Sequence, residues 1–206
     1  AGAGVMAKRI LVSLLATACL LLAGCQQSDP PAPEEPPAPP SAVPIPPAGE
    51  SVQVEPQPVF LDRLTIEVVE DWSETDRILS QLDALSQLAG EALAEKDCTV
   101  EAPVTVTIGT AGGITAQALR DGGVDVAILP TGDYAEIEAE AAPVLHSSDE
   151  TVVTAVTLAR EELDENFQTI LAAALLETDA GKDFLEICYP GVKFTKMDTR
   201  IFYVNS

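Results

Sequence analysis

Three short loops hold the residues whose types and spacing fit binding chemistry. EDWS (70–73), GTAGG (109–113) and PTGDY (130–134) each follow a β-like segment. Backbone amides of a glycine-bearing loop that opens a helix form a ready site for an anion or a carboxylate. Polar groups and an aromatic ring from neighbouring loops would complete a small-molecule site. The predicted ligand-binding residues are Trp72, Ser73, Thr110, Gly112, Gly113, Thr131 and Tyr134.

Several of these residues also have a purely structural interpretation. Thr110 can be a plain helix N-cap, and Gly112 and Gly113 can serve only a tight turn. Trp72, the single tryptophan, can fill the core or form a platform in a cleft. These alternatives remain open at the level of the sequence.

Patterns for catalysis and metal binding are weak. His146 is the single histidine and lies in HSSDE (146–150), which also fits a turn. A histidine near serines is no catalytic triad without the geometry, and no Cys/His spacing suggests a metal site. We therefore expect no enzymatic activity, no metal and no cofactor.

The elements that would position the loops alternate between strand and helix. This order predicts an α/β fold with three layers around a parallel sheet, whose strands end at the loops where ligands bind. Ser73 would be the N-cap of the first helix. Strands are expected at 64–70, 104–109, 124–129 and 150–160, and helices at 73–95, 114–122, 163–178 and 180–188, before an irregular tail with edge-strand character.

The N-terminal region predicts export. After the upstream residues 1–5, Lys8 and Arg9 precede the apolar run 10–22, which is shorter than the roughly 20 residues that span a membrane. It ends in LAGC, which resembles the lipobox of bacterial lipoproteins. The resemblance implies cleavage after Gly24 and a lipid on Cys25; an ordinary signal peptide with a chance cysteine is the alternative.

Three segments follow from these patterns: a signal peptide (1–24), a lipidated tether (25–59) and one folded domain (60–206). The tether is dense in proline and predicts an extended, disordered spacer; a PxxP ligand for another domain is the alternative. With 33 Asp and Glu, and 9 Lys and Arg after signal removal, the mature chain carries a net charge of −24. This charge argues against nucleic acid as a partner.

Cys98 and Cys188 are the cysteines left in the domain. In an exported protein such a pair favours one disulfide, and two buried free thiols are the alternative.

Two motifs resemble the phosphate/phosphonate-type periplasmic solute-binding proteins of ABC importers, which have a type 2 periplasmic-binding fold. The first is ALRDGGVDVAILPTGDY (118–134), in which Asp125 and Tyr134 match the family pattern. The second, ELDENFQTILAAALLETDAGKDFLEI (162–187), resembles the family's C-terminal helix pair. Family members have two lobes, but the first-lobe pattern here runs to about 145 and the C-terminal pattern resumes by about 150, which implies a single lobe.

The resemblance implies the substrate-binding component of an ABC-type importer, working or degenerate, for a phosphonate-like or other small polar solute. Its partners would be the solute, a permease and, through Cys25, the membrane. The domain would lie in the cell envelope, outside the cytoplasm. The alternative is an envelope lipoprotein that binds a protein partner through the same cleft face without transport.

Overall fold

A six-stranded mixed sheet forms the centre of the protein. The computed structural model describes residues 55–71 and 73–197, which belong to one compact unit. In chain order the elements are β1 (Val59–Leu61), β2 (Thr65–Val69), α1 (Thr75–Leu79), α2 (Leu82–Ala94), β3 (Cys98–Val100), β4 (Thr105–Gly109), α3 (Gly112–Arg120), β5 (Val126–Pro130), α4 (Thr131–Tyr134), β6 (Ala141–Ser147), β7 (Val152–Thr157), a 3-10 helix (Glu161–Leu163), α5 (Glu165–Glu177), α6 (Asp179–Cys188) and β8 (Phe194–Lys196).

Some sequence predictions fall outside the described residues. These are the signal peptide 1–24, the lipidation site Cys25, the tether up to residue 54, and Trp72. They remain predictions.

The strand order of the large sheet is β4-β2-β5-β7-β6-β8, and β1 pairs with β3 in a separate parallel ribbon. β4, β2 and β5 are parallel, as predicted. β7, β6 and β8 pair antiparallel, so the prediction of a parallel sheet is wrong for this half. The reason is a tight turn between β6 and β7, which includes Glu150 with a left-handed φ of 60° and joins neighbouring strands as a hairpin.

Helices cover both faces of the sheet, so the α/β architecture with three layers is confirmed. Alternate residues of each strand point to opposite faces. On β5, Ile128 belongs to the core cluster under α2, α5 and α6. Its neighbour Leu129 belongs to the cluster under α3 on the other face.

The helix predicted over 73–95 is two helices, α1 and α2. Ser73 is exposed and is not the N-cap, a position that Glu74 occupies. Ser80 ends α1, since its amide and its hydroxyl bond back to α1 carbonyls, the hydroxyl to Arg77 at 2.8 Å. Side-chain bonds of this kind compete with helix continuation.

Cys98 and Cys188 are free and buried, so the predicted disulfide is wrong and the alternative of two thiols holds. Cys98 follows α2, whereas the Cys188 carbonyl oxygen accepts from Arg77, which precedes α2. The two cysteines therefore lie toward opposite ends of α2. The 13 residues of α2 span about 20 Å, whereas a disulfide allows roughly 7 Å between the two Cα atoms. Burial raises the pKa of both thiols, that of Cys98 to about 11.

Candidate functional site

The carboxyl ends of three adjacent parallel strands bring the predicted loops to one edge of the sheet. Val69 of β2 lies opposite Gly109 of β4, and the Glu70 amide donates to the Gly109 carbonyl oxygen at 3.0 Å. β5 pairs with β2 from the other side and ends at Pro130. We call this surface the carboxyl edge; its described residues are 70, 71, 73, 74, 110–113 and 130–133, which include the predicted Ser73, Thr110, Gly112, Gly113 and Thr131.

α3 starts at the carboxyl edge without a side-chain cap. Its N-cap is Ala111, in an extended conformation, and α3 begins at Gly112. Thr110 is exposed and is not the cap. The first amides of α3 therefore have no side-chain acceptor from the N-cap residue, which is the condition for binding an external acceptor there.

A carboxylate of the chain itself lies against this helix terminus. A Cβ atom on Gly112 would overlap the Asp133 carboxylate, and one on Gly113 would lie 3.8 Å from it. Gly112 thus permits an approach that any larger residue would block. The negative charge suits the positive end of the helix dipole and repels a second anion at the same place. PTGDY contains Asp133, but its role was not predicted.

Thr131 is tied to the turn between β6 and β7. Its hydroxyl donates to the Glu150 carbonyl oxygen at 2.7 Å, and its amide donates to that of Thr151 at 2.9 Å. In the same turn, hydroxyl hydrogen bonds from Ser147 and Thr151 hold the pKa of Asp149 below its usual value. The turn therefore lies next to the carboxyl edge, which the sequence did not indicate.

Tyr134 lies in the core and not on the carboxyl edge, contrary to expectation. Its side chain is 6% exposed, and its hydroxyl donates to the Ala141 carbonyl oxygen at 3.2 Å. Burial, together with the charge of Glu138, raises the pKa of Tyr134 to about 12. Tyr134 and Ile137 share one core cluster, and this spacing of three is the sequence signal that a helical turn faces inward.

Glu67 is a partly buried carboxylate beneath the carboxyl edge and is not among the predicted site residues. It accepts hydrogen bonds from the Thr107 hydroxyl at 3.1 Å and from the Thr115 hydroxyl. Gly109 leaves the room, because a Cβ atom there would lie 2.9 Å from Glu67 Oε1. The sequence signal that could have indicated Glu67 is a glutamate inside LTIEVVE, a run rich in β-branched residues.

Glu70 is the least satisfied polar side chain of the carboxyl edge. Its Oε1 atom is buried and has no hydrogen-bond partner among the described residues. Burial raises the pKa of Glu70, and the charge of Arg77 opposes the rise. Arg77 does not neutralise Glu70, since its guanidinium pairs with Glu74 at 2.7 Å and donates to the Ile187 carbonyl oxygen at the end of α6.

Glu70→Gln should stabilise the protein at pH 7.5 and have little effect near pH 4, below the ordinary pKa of a glutamate. The folded protein binds a proton at Glu70 more tightly than the unfolded chain does, so wild-type stability falls as pH rises through the raised pKa. Because glutamine does not ionise, the variant should not lose this stability as the pH rises. Urea unfolding at both pH values measures the difference. The control is Asp76→Asn, an exposed change on α1; an equal pH dependence of both variants would contradict the assignment.

His146 is held by its neighbours and not by a serine hydroxyl. Its Nε2 lies 3.0 Å from the Thr195 hydroxyl and its Nδ1 lies 3.0 Å from the Ser147 carbonyl oxygen. The Ser147 hydroxyl donates to Asp149 at 2.6 Å. Within 55–71 and 73–197, no group of three His, Cys, Asp or Glu residues is placed to hold a metal, and no helix there is long and apolar enough to cross a membrane.

Comparison with solved structures gives a likeness at the level of the fold. No family model matches the chain, and no curated protein matches it. The structure of XAC2383 from Xanthomonas citri bound to chloride ion is similar, with a TM-score of 0.50 and 10% sequence identity. The likeness covers 68% of this chain and 93% of that chain. The α/β lobe described above therefore accounts for nearly the whole of another protein chain.

Proposed function

We propose that this chain is a lipid-anchored, one-lobed binding protein of the cell envelope that takes a small polar solute at its carboxyl edge, as a component of an ABC-type importer. In this proposal the domain is a single lobe of the type 2 periplasmic-binding fold. The observation that carries it is the meeting of the loops after β2, β4 and β5 around the uncapped start of α3. The lipobox ending at Cys25 supports the anchor.

Charge narrows the class of solute. Glu70, Asp71, Glu74 and Asp133 all belong to the carboxyl edge, and Asp133 lies against the helix terminus that a phosphonate would need. Like charges at short range cost binding energy. A cationic or zwitterionic solute is therefore favoured over phosphate or a phosphonate.

A protein partner at the same edge is the second candidate, and one observation favours it. Ile114, in the first turn of α3, is 72% exposed. Because Tyr134 lies in the core, it does not enclose a solute bound at the carboxyl edge, and one side of that solute would face solvent. Typical small-molecule sites bury 70–90% of the ligand surface. A partner protein would cover Ile114 and enclose the solute or replace it.

A thermal-shift screen of the full chain against polyamines, amino acids, sulfonates, phosphate and phosphonates tests the first candidate. A ligand at 100 times its dissociation constant adds about 2.7 kcal/mol and raises Tm. We expect a selective rise with a cationic or zwitterionic compound that Thr110→Ala abolishes. Thr105→Ala, an exposed threonine at the other end of β4, should keep it. Cooperative unfolding with no response to any compound would contradict solute binding and favour the protein partner.

A further inference from the structure

β4 is an edge strand with an open side. It pairs with β2 and is the first strand in the order of the sheet. The Thr105 amide donates to the Leu64 carbonyl oxygen, so odd-numbered residues of β4 bond toward β2. The main-chain groups of Val106 and Ile108 point to the other side, where no described strand pairs with them. Such groups are a template for another extended chain.

β4 itself carries none of the sequence features that block an edge strand. Proteins usually block an edge with a charged residue, a proline or a bulge. The sequence of Thr105–Gly109 is TVTIG, and its pairing with β2 is regular over all five residues. The edge is therefore chemically open to strand addition, a recognised way of binding a peptide.

An acidic groove leads up to this edge. A cavity of about 430 Å³ lies between α2 and the segment 98–104, and its lining includes Val104, the residue before β4. Asp83, Glu91 and Glu101 line it, and no Lys or Arg is among its lining residues. None of the three carboxylates forms an ion pair within the described part of the chain.

We propose that β4 and this groove together bind an extended, basic segment of a partner protein. The segment would add a strand to the Val106–Ile108 edge and place Lys or Arg side chains on the three carboxylates. Charge complementarity selects this occupant, because a second copy would bring the same carboxylates and a net charge of −22. The surface is separate from the carboxyl edge, so the proposal goes beyond the proposed function.

The test is an NMR titration of the ¹⁵N-labelled full chain with the heptapeptide acetyl-KVKVKVK-amide. Hydrogen exchange of the Val106 and Ile108 amides should slow on binding, while the Thr105 and Thr107 amides, which face β2, should keep their rates. The same peptide with its central Val replaced by Pro carries equal charge but loses a strand donor, and it should bind about tenfold more weakly. Unchanged exchange at Val106 and Ile108, or equal binding of both peptides, would overturn the proposal.

A matched pair of triple variants separates this surface from general attraction to an acidic protein. Asp83→Asn with Glu91→Gln and Glu101→Gln should weaken binding about tenfold. Glu136→Gln with Glu138→Gln and Glu140→Gln removes the same charge from exposed positions near Ile137, on the α3 face of the sheet. This second triple should change binding less than about twofold. Equal weakening by both triples would contradict binding of the basic segment at the groove. If the first triple variant fails to fold, the comparison of the two peptides still tests the proposal.

Discussion

Asp125→Ala will lower the free energy of unfolding by about 3 kcal/mol, because it leaves a mostly buried guanidinium with only the exposed carboxylates of Asp62 and Glu162 as partners. Asp125 and Arg160 form an ion pair at 3.0 Å with side chains 5% and 13% exposed. The other Asp125 oxygen accepts from the Thr65 amide at 2.8 Å. Burial opposes the charge on Arg160, and the carboxylates of Asp125 and Glu162 outweigh it, so the pKa of Arg160 is raised.

Urea unfolding measures this loss, and an exposed ion pair provides the control. Lys96 and Glu177 approach to 2.6 Å but are 31% and 62% exposed. Glu177→Ala should therefore cost less than about 1 kcal/mol. A loss for Asp125→Ala as small as that of the control would show that the Asp125–Arg160 pair does not hold the start of β2 and β5 together.

Gly181→Ala will destabilise the protein by about 3 kcal/mol, although alanine is the better helix former. A Cβ atom on Gly181 would overlap the Ala174 carbonyl oxygen and lie 2.6 Å from the Leu175 Cα atom. These are backbone atoms of α5, which cannot move aside as a flexible side chain can. The free-energy cost of overpacking should therefore lie at the upper end of its usual range. The Thr178 hydroxyl, which donates to Ala174 O at 2.6 Å and accepts from the Gly181 amide at 2.9 Å, holds the corner tightly.

Gly90→Ala is the matched control for Gly181→Ala. Gly90 lies inside α2, and a Cβ atom there would meet only Val104 Cγ2 at 3.9 Å, an ordinary contact. The substitution should stabilise the protein by about 0.4–1 kcal/mol. If Gly181→Ala leaves the urea midpoint unchanged, or raises it as Gly90→Ala should, the close approach of α5 and α6 is not a constraint on the fold.

The parallel half of the sheet was predictable because its local signals agree. The run VTVTIG, ended by glycine, predicts a strand at 104–109, and β4 occupies Thr105–Gly109. The strand at 124–129 and β5 at Val126–Pro130 agree as well. Each run combines β-branched residues with a following turn or helix, so propensity and periodicity point to the same element.

β6 could not be predicted in this way, because its residues are weak strand formers. AAPVLHS (141–147) contains two alanines and Pro143, and the pairing with β7 shifts register between Pro143 and Leu145. Pairing on both sides, with β7 and β8, stabilises β6 against its own propensity. β7 lies inside the strand predicted at 150–160, so what was missed with β6 is the antiparallel direction of this half of the sheet.

The candidate site was predictable in position and not in detail. The topology placed the loops at the carboxyl edge, since strand direction alone decides where parallel strands end. The inward direction of Tyr134 depends on the short helix α4, and the contact between Asp133 and Gly112 depends on the approach of two loops. The prediction of a disulfide was wrong for a similar reason. Export favours pairing of Cys98 and Cys188, but the bond can form only if the fold brings their Cα atoms close enough.

The most direct test of the central claim, that the carboxyl edge is the binding surface, is an amide NMR titration of the full chain with the same panel of polar solutes. We expect shifts that cluster at Ser73, Thr110, Gly112, Gly113 and Thr131. A groove of about 630 Å³ beside α5, lined in part by Lys96 and Lys196, is a competing binding surface. Shifts confined to that groove, or none with any solute, would contradict the claim.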